Sequence, residues 1–148
     1  MKISNAIEIQ APPEKVFFWL EDPDRAMKWM KSVTEYEVLN KTQNMVGTTF
    51  HEYVEENGQK VELHGIVTKF ISNEIFAVHL ESDYNSVDVC FTLKNNENRT
   101  QLIQNIEIQF KGRLRLFGIF LSAYIKKKIK SQTQKEFAQL KDLCEQNF

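Results

Sequence analysis

Ile7-Glu8-Ile9-Gln10-Ala11-Pro12-Pro13-Glu14-Lys15-Val16-Phe17-Phe18-Trp19-Leu20 is the stretch whose reading decides the fold. Ile7 and Ile9 alternate with Glu8 and Gln10, the period of a half-buried strand. Pro12 and Pro13 end that strand, because neither can donate to a ladder. A proline also suits the first turn of a helix, where an N–H has no partner in any case. Val16, Phe17 and Leu20 then recur at helical spacing. Asp22-Pro23-Asp24 interrupts this helix and starts another through Arg25, Met27, Trp29 and Met30.

Past Trp29 the pattern changes to strands, predicted over residues 35–40, 46–56, 60–71, 75–82, 86–94 and 100–110. The separators have turn chemistry. Asn57-Gly58 is the strongest hairpin signal, since both residues tolerate the positive φ of a type I′ turn. Six consecutive strands joined by short turns imply an antiparallel meander with one face packed on another layer. The alternation is clearest in the last strand, where Leu102, Ile106, Ile108 and Phe110 share a face opposite Asn105, Glu107 and Gln109. The covering layer is the C-terminus. After Gly112 there is no proline, and Phe117, Leu121, Ile125 and Ile129 step by four before Phe137, Leu140 and Cys144 resume the stripe. A helix of about 34 residues would span roughly 50 Å. That exceeds a small domain, so a break or bend is predicted near residues 118–122, beside Gly118.

The 148 residues fit one domain over 1–148, and 42% hydrophobic content with eleven Phe suffices for a core. No apolar run approaches eighteen residues, and Met1-Lys2-Ile3-Ser4-Asn5 lacks the apolar core of a signal peptide. Cys90 and Cys144 lie far apart outside any CxxC pattern, as expected of reduced, largely buried thiols in a cytoplasmic protein. The formal net charge of −1 hides an asymmetry. Residues 1–110 hold 10 basic against 17 acidic side chains, whereas residues 111–130 hold seven basic and no acidic ones. An acidic body with one basic block does not describe a nucleic-acid binder.

Together these elements make an α+β, helix-grip arrangement: a curved antiparallel sheet of about seven strands wrapped around a long C-terminal helix, with two short helices after the first strand. Ile9-x-Ala11-Pro12-Pro13-Glu14-Lys15-Val16-Phe17-x-x-Leu20, Asp22-Pro23, Trp29, Val46-Gly47-Thr48-x-Phe50 and Gly65-x-Val67 carry a further likeness. In that order they resemble the START-like/SRPBCC superfamily and, within it, the polyketide cyclase/dehydrase-like group. The resemblance covers essentially the whole chain. It implies a deep, mostly apolar cavity between sheet and helix that holds a hydrophobic small molecule, with chemistry in only some members. The paired Cys and His of Rieske members and the Gly-rich loop of plant pathogenesis-related members are missing from this sequence.

On that architecture the expected cavity lining is Trp29, Phe50, Leu63, Phe76, Val78, Val89, Phe91, Gln104, Ile106, Phe117, Leu121 and Tyr124. Small-molecule sites are apolar walls with a few placed polar groups. Gln104 and Thr133 are the polar candidates, each needing a partner that a ligand could supply. Gly65, between Leu63 and Val67, is expected to enlarge the cavity by lacking a side chain. Glu52, Tyr53 and His64 are the acid–base candidates. His51, His64 and His79 sit on successive strands, but their parity argues against a cluster, and neither HxH nor HExxH spacing occurs. No phosphate loop, nucleophile elbow or other cofactor motif is present, so neither cofactor nor metal is expected.

Three functions follow as expectations. The first is binding, transport or sequestration of a hydrophobic or amphipathic small molecule by a monomer or homodimer. The second is a cofactor-free cyclase- or dehydratase-like lyase acting on a polyketide-like or aromatic substrate in the same cavity. The third is a membrane- or protein-interaction module using residues 113–130, where apolar side chains are flanked by basic ones, a composition suited to transient contact with an anionic membrane surface.

Overall fold

The computed structural model describes residues 1–56 and 58–146, apart from the side chains of residues 56 and 117–120. In chain order the elements are β1 (Lys2–Ile9), α1 (Pro13–Glu21), α2 (Pro23–Ala26), β2 (Val33–Asn40), β3 (Thr49–Glu56), β4 (Gln59–Ile71), β5 (Ile75–Glu81), β6 (Asn85–Asn96), β7 (Arg99–Phe110) and α3 (Leu114–Glu145). The seven strands form one sheet in the order β1-β7-β6-β5-β4-β3-β2. Every neighbouring pair is antiparallel. This is the helix-grip fold.

The opening segment closes one end of the sheet. Pro12 is the extended N-cap of α1 and Pro13 opens the helix, so the proline ring is accommodated where no N–H bond is lost. Val16, Phe17, Trp19 and Leu20 turn inward. Asp22 ends α1 and caps α2 by accepting from the N–H groups of Asp24 (2.9 Å) and Arg25 (3.2 Å). Trp29 follows, and its indole N–H donates to the Trp19 carbonyl at 2.9 Å. The core gathers Ile9, Val16, Phe17, Trp29, Leu102, Phe137, Leu140 and Cys144. Burial pushes the Cys144 thiol up to about 12, while Cys90 is half-buried; both are free thiols.

Several boundaries differ from the sequence expectation, among them α2, which ends at Ala26 short of Trp29 and Met30. β3 starts at Thr49 and not at residue 46, because Met45 (φ 71°) and Gly47 (φ 87°) form a turn in the left-handed region. That turn still reaches the sheet, through Gly47 N–H to Val67 O (2.8 Å) and Val67 N–H to Thr48 O (2.9 Å). Of the break or bend expected near residues 118–122, the break does not occur: α3 runs uninterrupted for 32 residues. Gly118 weakens a helix by roughly 1 kcal/mol without removing a backbone donor, which is too little to break one. The length is accommodated by overhang. α3 packs chiefly on β1, α1 and β7, and this burial falls on its C-terminal part. Leu114, Leu116, Leu121 and Tyr124, nearer its start, are exposed.

The Asn57-Gly58 turn lies partly outside the described residues. Gly58 has φ +76°, and Glu56 pairs with Gln59 across it. A second two-residue turn joins β6 to β7, where Glu97 (φ 54°) and Asn98 (φ 64°) connect the paired residues Asn96 and Arg99.

Candidate functional site

The concave face is built in rows by the strand register. One row runs Phe50, Gly65, Leu80, Val87 and Ile108, from β3 to β7. The next runs Val67, Val78, Val89, Ile106 and Ile3. Phe50, Val67 and Leu80 are buried at the centre, while Tyr36, Leu63, Val78, Val87 and Val89 pack on them and stay partly exposed. Because α3 lies over the β1 and β7 side, the apolar strip from β2 to β6 is only partly covered. This strip is the candidate binding surface.

Gly65 does not enlarge the cavity as expected. A Cβ at Gly65 would collide with the Cζ, Cε2 and Cε1 atoms of Phe50, so the ring already fills the space that the glycine leaves. Phe50 in turn stacks on Tyr36, with ring centroids 5.0 Å apart and planes 16° from parallel. Gln104 has a protein partner rather than waiting for a ligand: its Oε1 accepts from Asn5 Nδ2 at 3.1 Å. Thr133 is buried on α3. Phe91 is a core residue against Trp29, and Phe76 packs edge-on against Phe17 and Phe70. Ile106 is buried with Ile3 and Ile108.

Three open spaces surround the overhanging part of α3. A groove of about 800 Å³ separates it from the segment after α2, with Trp29 and Tyr124 beside Ser32, Lys128, Lys135 and Glu136. Glu136 accepts from the Lys31 and Ser32 backbone while its Oε2 is buried without a partner, and burial raises its carboxyl. A pocket of about 340 Å³ at the end of the concave face is lined by Val54, Leu63, Val87, Phe110 and Leu114. A third space, about 890 Å³, lies between β7 and α3 and includes Phe110, Lys111, Arg115 and Lys126. Tyr124 therefore borders a groove at its mouth, and Leu121 is exposed. Phe117 lies outside the described side chains.

Of the acid–base candidates, only Glu52 faces inward. It sits on β3 between Phe50 and Val54, two residues from each, with Tyr36 and Leu63 as its cross-strand partners. It is 8% exposed, and burial pushes its carboxyl up to about 7. The Tyr36 phenol is pushed up by burial first, then by the charges of Glu52 and Asp22. Tyr53 and His64 are on the convex face, away from the cavity. Tyr53 lies under the Lys60 ammonium (5.1 Å to the ring centroid) and beside His51.

The histidines come closer together than parity suggested. His51 pairs with His64 in register, and their ring centroids are 6.3 Å apart. Each His51 nitrogen meets a carboxylate, Glu37 at 2.7 Å and Glu62 at 3.2 Å. His79 is held between Asp88 and Glu81, both at 2.6 Å. These are surface ion pairs. Among the described residues no group of three or more His, Cys, Asp or Glu side chains is arranged to hold a metal. Sequence reasoning missed Tyr36, Asn5, Val54 and Val87. The signal for Tyr36 was its place as an aromatic between Glu35 and Glu37 on a short strand.

A START-type grip, with a partly covered apolar face and one inward carboxyl, is thus the class of protein that fold and site define. The chain belongs to the family described as polyketide cyclase / dehydrase and lipid transport, which matches residues 1–145. Comparison with curated proteins gives no match. Solved structures share the fold at low identity. A START superfamily protein from Mycobacterium smegmatis is 16% identical with a TM-score of 0.79, covering 97% of each chain. The Zhui aromatase/cyclase from Streptomyces sp. R1128 is 11% identical with a TM-score of 0.81, over 98% of this chain and 93% of its own. A protein from Thermus thermophilus is 16% identical with a TM-score of 0.81, over 97% of each chain. No helix among the described residues is long and apolar enough to cross a membrane.

Proposed function

We propose that this protein binds a hydrophobic or amphipathic small molecule between the concave face of its sheet and α3, and carries or sequesters it. The observation that supports this is the apolar strip of Tyr36, Leu63, Val78, Val87 and Val89, which the protein's own helix leaves partly uncovered. Burying apolar surface is worth roughly 25 cal/mol per Å², so a guest that completes this layer gains what the fold forgoes. The free thiols Cys90 and Cys144 suit a reducing, cytoplasmic setting. Native mass spectrometry of protein purified from its own host, followed by solvent extraction, tests the reading. A co-purifying apolar molecule is expected. No extracted molecule, together with no thermal shift across a panel of lipids and aromatics, overturns it.

A second reading concerns where the guest is loaded. Leu116 and Tyr124 are each 65% exposed, and Leu114 and Leu121 are exposed on the same overhanging half of α3. Lys111, Arg113, Arg115, Lys126, Lys127, Lys128 and Lys130 accompany them without an acidic side chain between residues 111 and 130. Cations near an anionic bilayer contribute about 1 kcal/mol each, and the apolar side chains can insert. Co-sedimentation with vesicles containing phosphatidylserine is expected for the wild type and lost in a Lys126→Glu/Lys127→Glu/Lys128→Glu variant. Equal binding by both proteins, or none by the wild type, removes this reading.

A further inference from the structure

Glu52 breaks the apolar alternation of β3 at an inward position, where Phe50 and Val54 are its same-face neighbours. It is 8% exposed, and no hydrogen bond to its carboxyl occurs among the described residues. Its oxygens are not among the fully buried polar atoms that lack a partner, so they border space that the polar group of a guest can reach. The groups facing it are few. Tyr36 on β2 lies directly opposite, Leu63 on β4 carries no charge, and Asp22 at the α1–α2 junction acts on Tyr36. The Tyr36 hydroxyl likewise has no hydrogen-bond partner among the described residues.

Resting on the binding function proposed above, we infer that Glu52 and Tyr36 are the polar anchor of the cavity, two adjacent donors that take the carbonyl oxygen of an otherwise apolar ligand. With no cation beside it and most of its surface covered, the carboxyl is favoured in its protonated form, and burial does the same for the phenol, so both groups have hydrogen to give. Directly opposed residues on neighbouring antiparallel strands have Cβ atoms about 5 Å apart, so the two side chains leave the sheet side by side on its concave face. A carbonyl oxygen offers two lone pairs and no charge, which matches two neutral donors in an apolar setting. An amine fits less well, because Lys126, Lys127, Lys128 and Lys135 border the open spaces through which it would pass.

Equilibrium dialysis with two probes of the same shape tests this: 2-acetonaphthone, which has the carbonyl, and 2-ethylnaphthalene, which does not. At pH 5.5 the wild type should bind the ketone about tenfold more tightly, the effect of one or two satisfied buried donors. At pH 8.5, with Glu52 ionised, the preference should fall to parity or below. Glu52→Gln, which keeps an N–H donor, should retain preference for the ketone at both pH values. Glu52→Leu should lose it at both, and Tyr36→Phe should reduce it at pH 5.5. A preference in the wild type that ignores pH, or one that survives Glu52→Leu, overturns the anchor and leaves the cavity intact. Binding of neither probe by the wild type overturns the cavity reading itself, and the anchor with it.

Discussion

Phe50 on β3 lies directly opposite Gly65 on β4, and its ring occupies the space that any side chain at residue 65 would need. The pair is a single packing unit shared between two strands. Gly65→Ala should therefore destabilise by roughly 1–3 kcal/mol through overpacking. Phe50→Ala should cost roughly 3–5 kcal/mol through the opposite defect. The double variant should cost clearly less than the two together, because each change relieves the other. Urea denaturation of the four proteins measures the coupling. Strict additivity would show that the ring moves aside freely.

Glu52 ties stability to pH. Its carboxyl rises from 4.5 to about 7 on folding because burial disfavours the charge. A raised folded value means that the folded state holds the proton more tightly, so stability is fully present below about pH 4.5 and falls as pH rises through 7. The cost of ionising Glu52 in the fold is on the order of 3 kcal/mol at high pH. Glu52→Gln should thus be more stable than the wild type at pH 8.5, with the difference shrinking towards pH 5. Parallel denaturation curves with no convergence at low pH would contradict this.

His79, on the convex face, shifts stability with pH in the same direction but by the opposite cause, a partnered charge. Its pKa is raised first by its hydrogen bond to Asp88 and then by that to Glu81. Its contribution is complete below 6.5 and is lost as pH rises through the raised value. Glu81 is lowered by Lys111 and then His79, so its share is present above 4.5 and lost as pH falls through the lowered value. The deficit of a His79→Gln variant should therefore peak in mildly acidic buffer, between those limits, and fade in alkaline buffer. Thermal melts across that range test it, and salt should shrink the effect because these groups are solvent-accessible.

Glu97 adopts φ 54° in the turn between β6 and β7. The left-handed region costs an L-residue roughly 1 kcal/mol that glycine does not incur. Glu97→Gly should therefore be neutral or stabilising by up to about 1 kcal/mol in chemical denaturation, unlike most substitutions to glycine. A loss of 1 kcal/mol or more would mean that the Glu97 side chain supports the turn.

Most of the architecture was legible because it is written in local patterns. Pro12-Pro13, the Asp22 cap and the alternation of Leu102, Ile106 and Ile108 each constrain a few neighbouring residues. The site was harder to read because its character depends on register. Parity places Gly65 inward, but only the pairing of β3 with β4 shows that Phe50 fills the glycine's gap and that Glu52 lies opposite Leu63, which offers it no donor. Gln104 looked like an orphan in its own strand, and its partner Asn5 is 99 residues away. Tyr53 and His64 carried suitable chemistry on the wrong side of the sheet, a distinction that one step along a strand decides.

The overhang of α3 sets how the grip can open. Its C-terminal part is fastened by Phe137, Leu140 and Cys144 in the core. Its start has no side-chain cap and no acidic residue in the first turn, while Arg113 and Arg115 stand at the positive end of the helix dipole. The helix should therefore fray from that end, with amide exchange far faster in its first turns than around Leu140. Passage beneath it then requires peeling back a few turns of one helix, with the sheet left undisturbed. The protein would work less like a box with a lid than like a clip whose loose arm is the one over the opening.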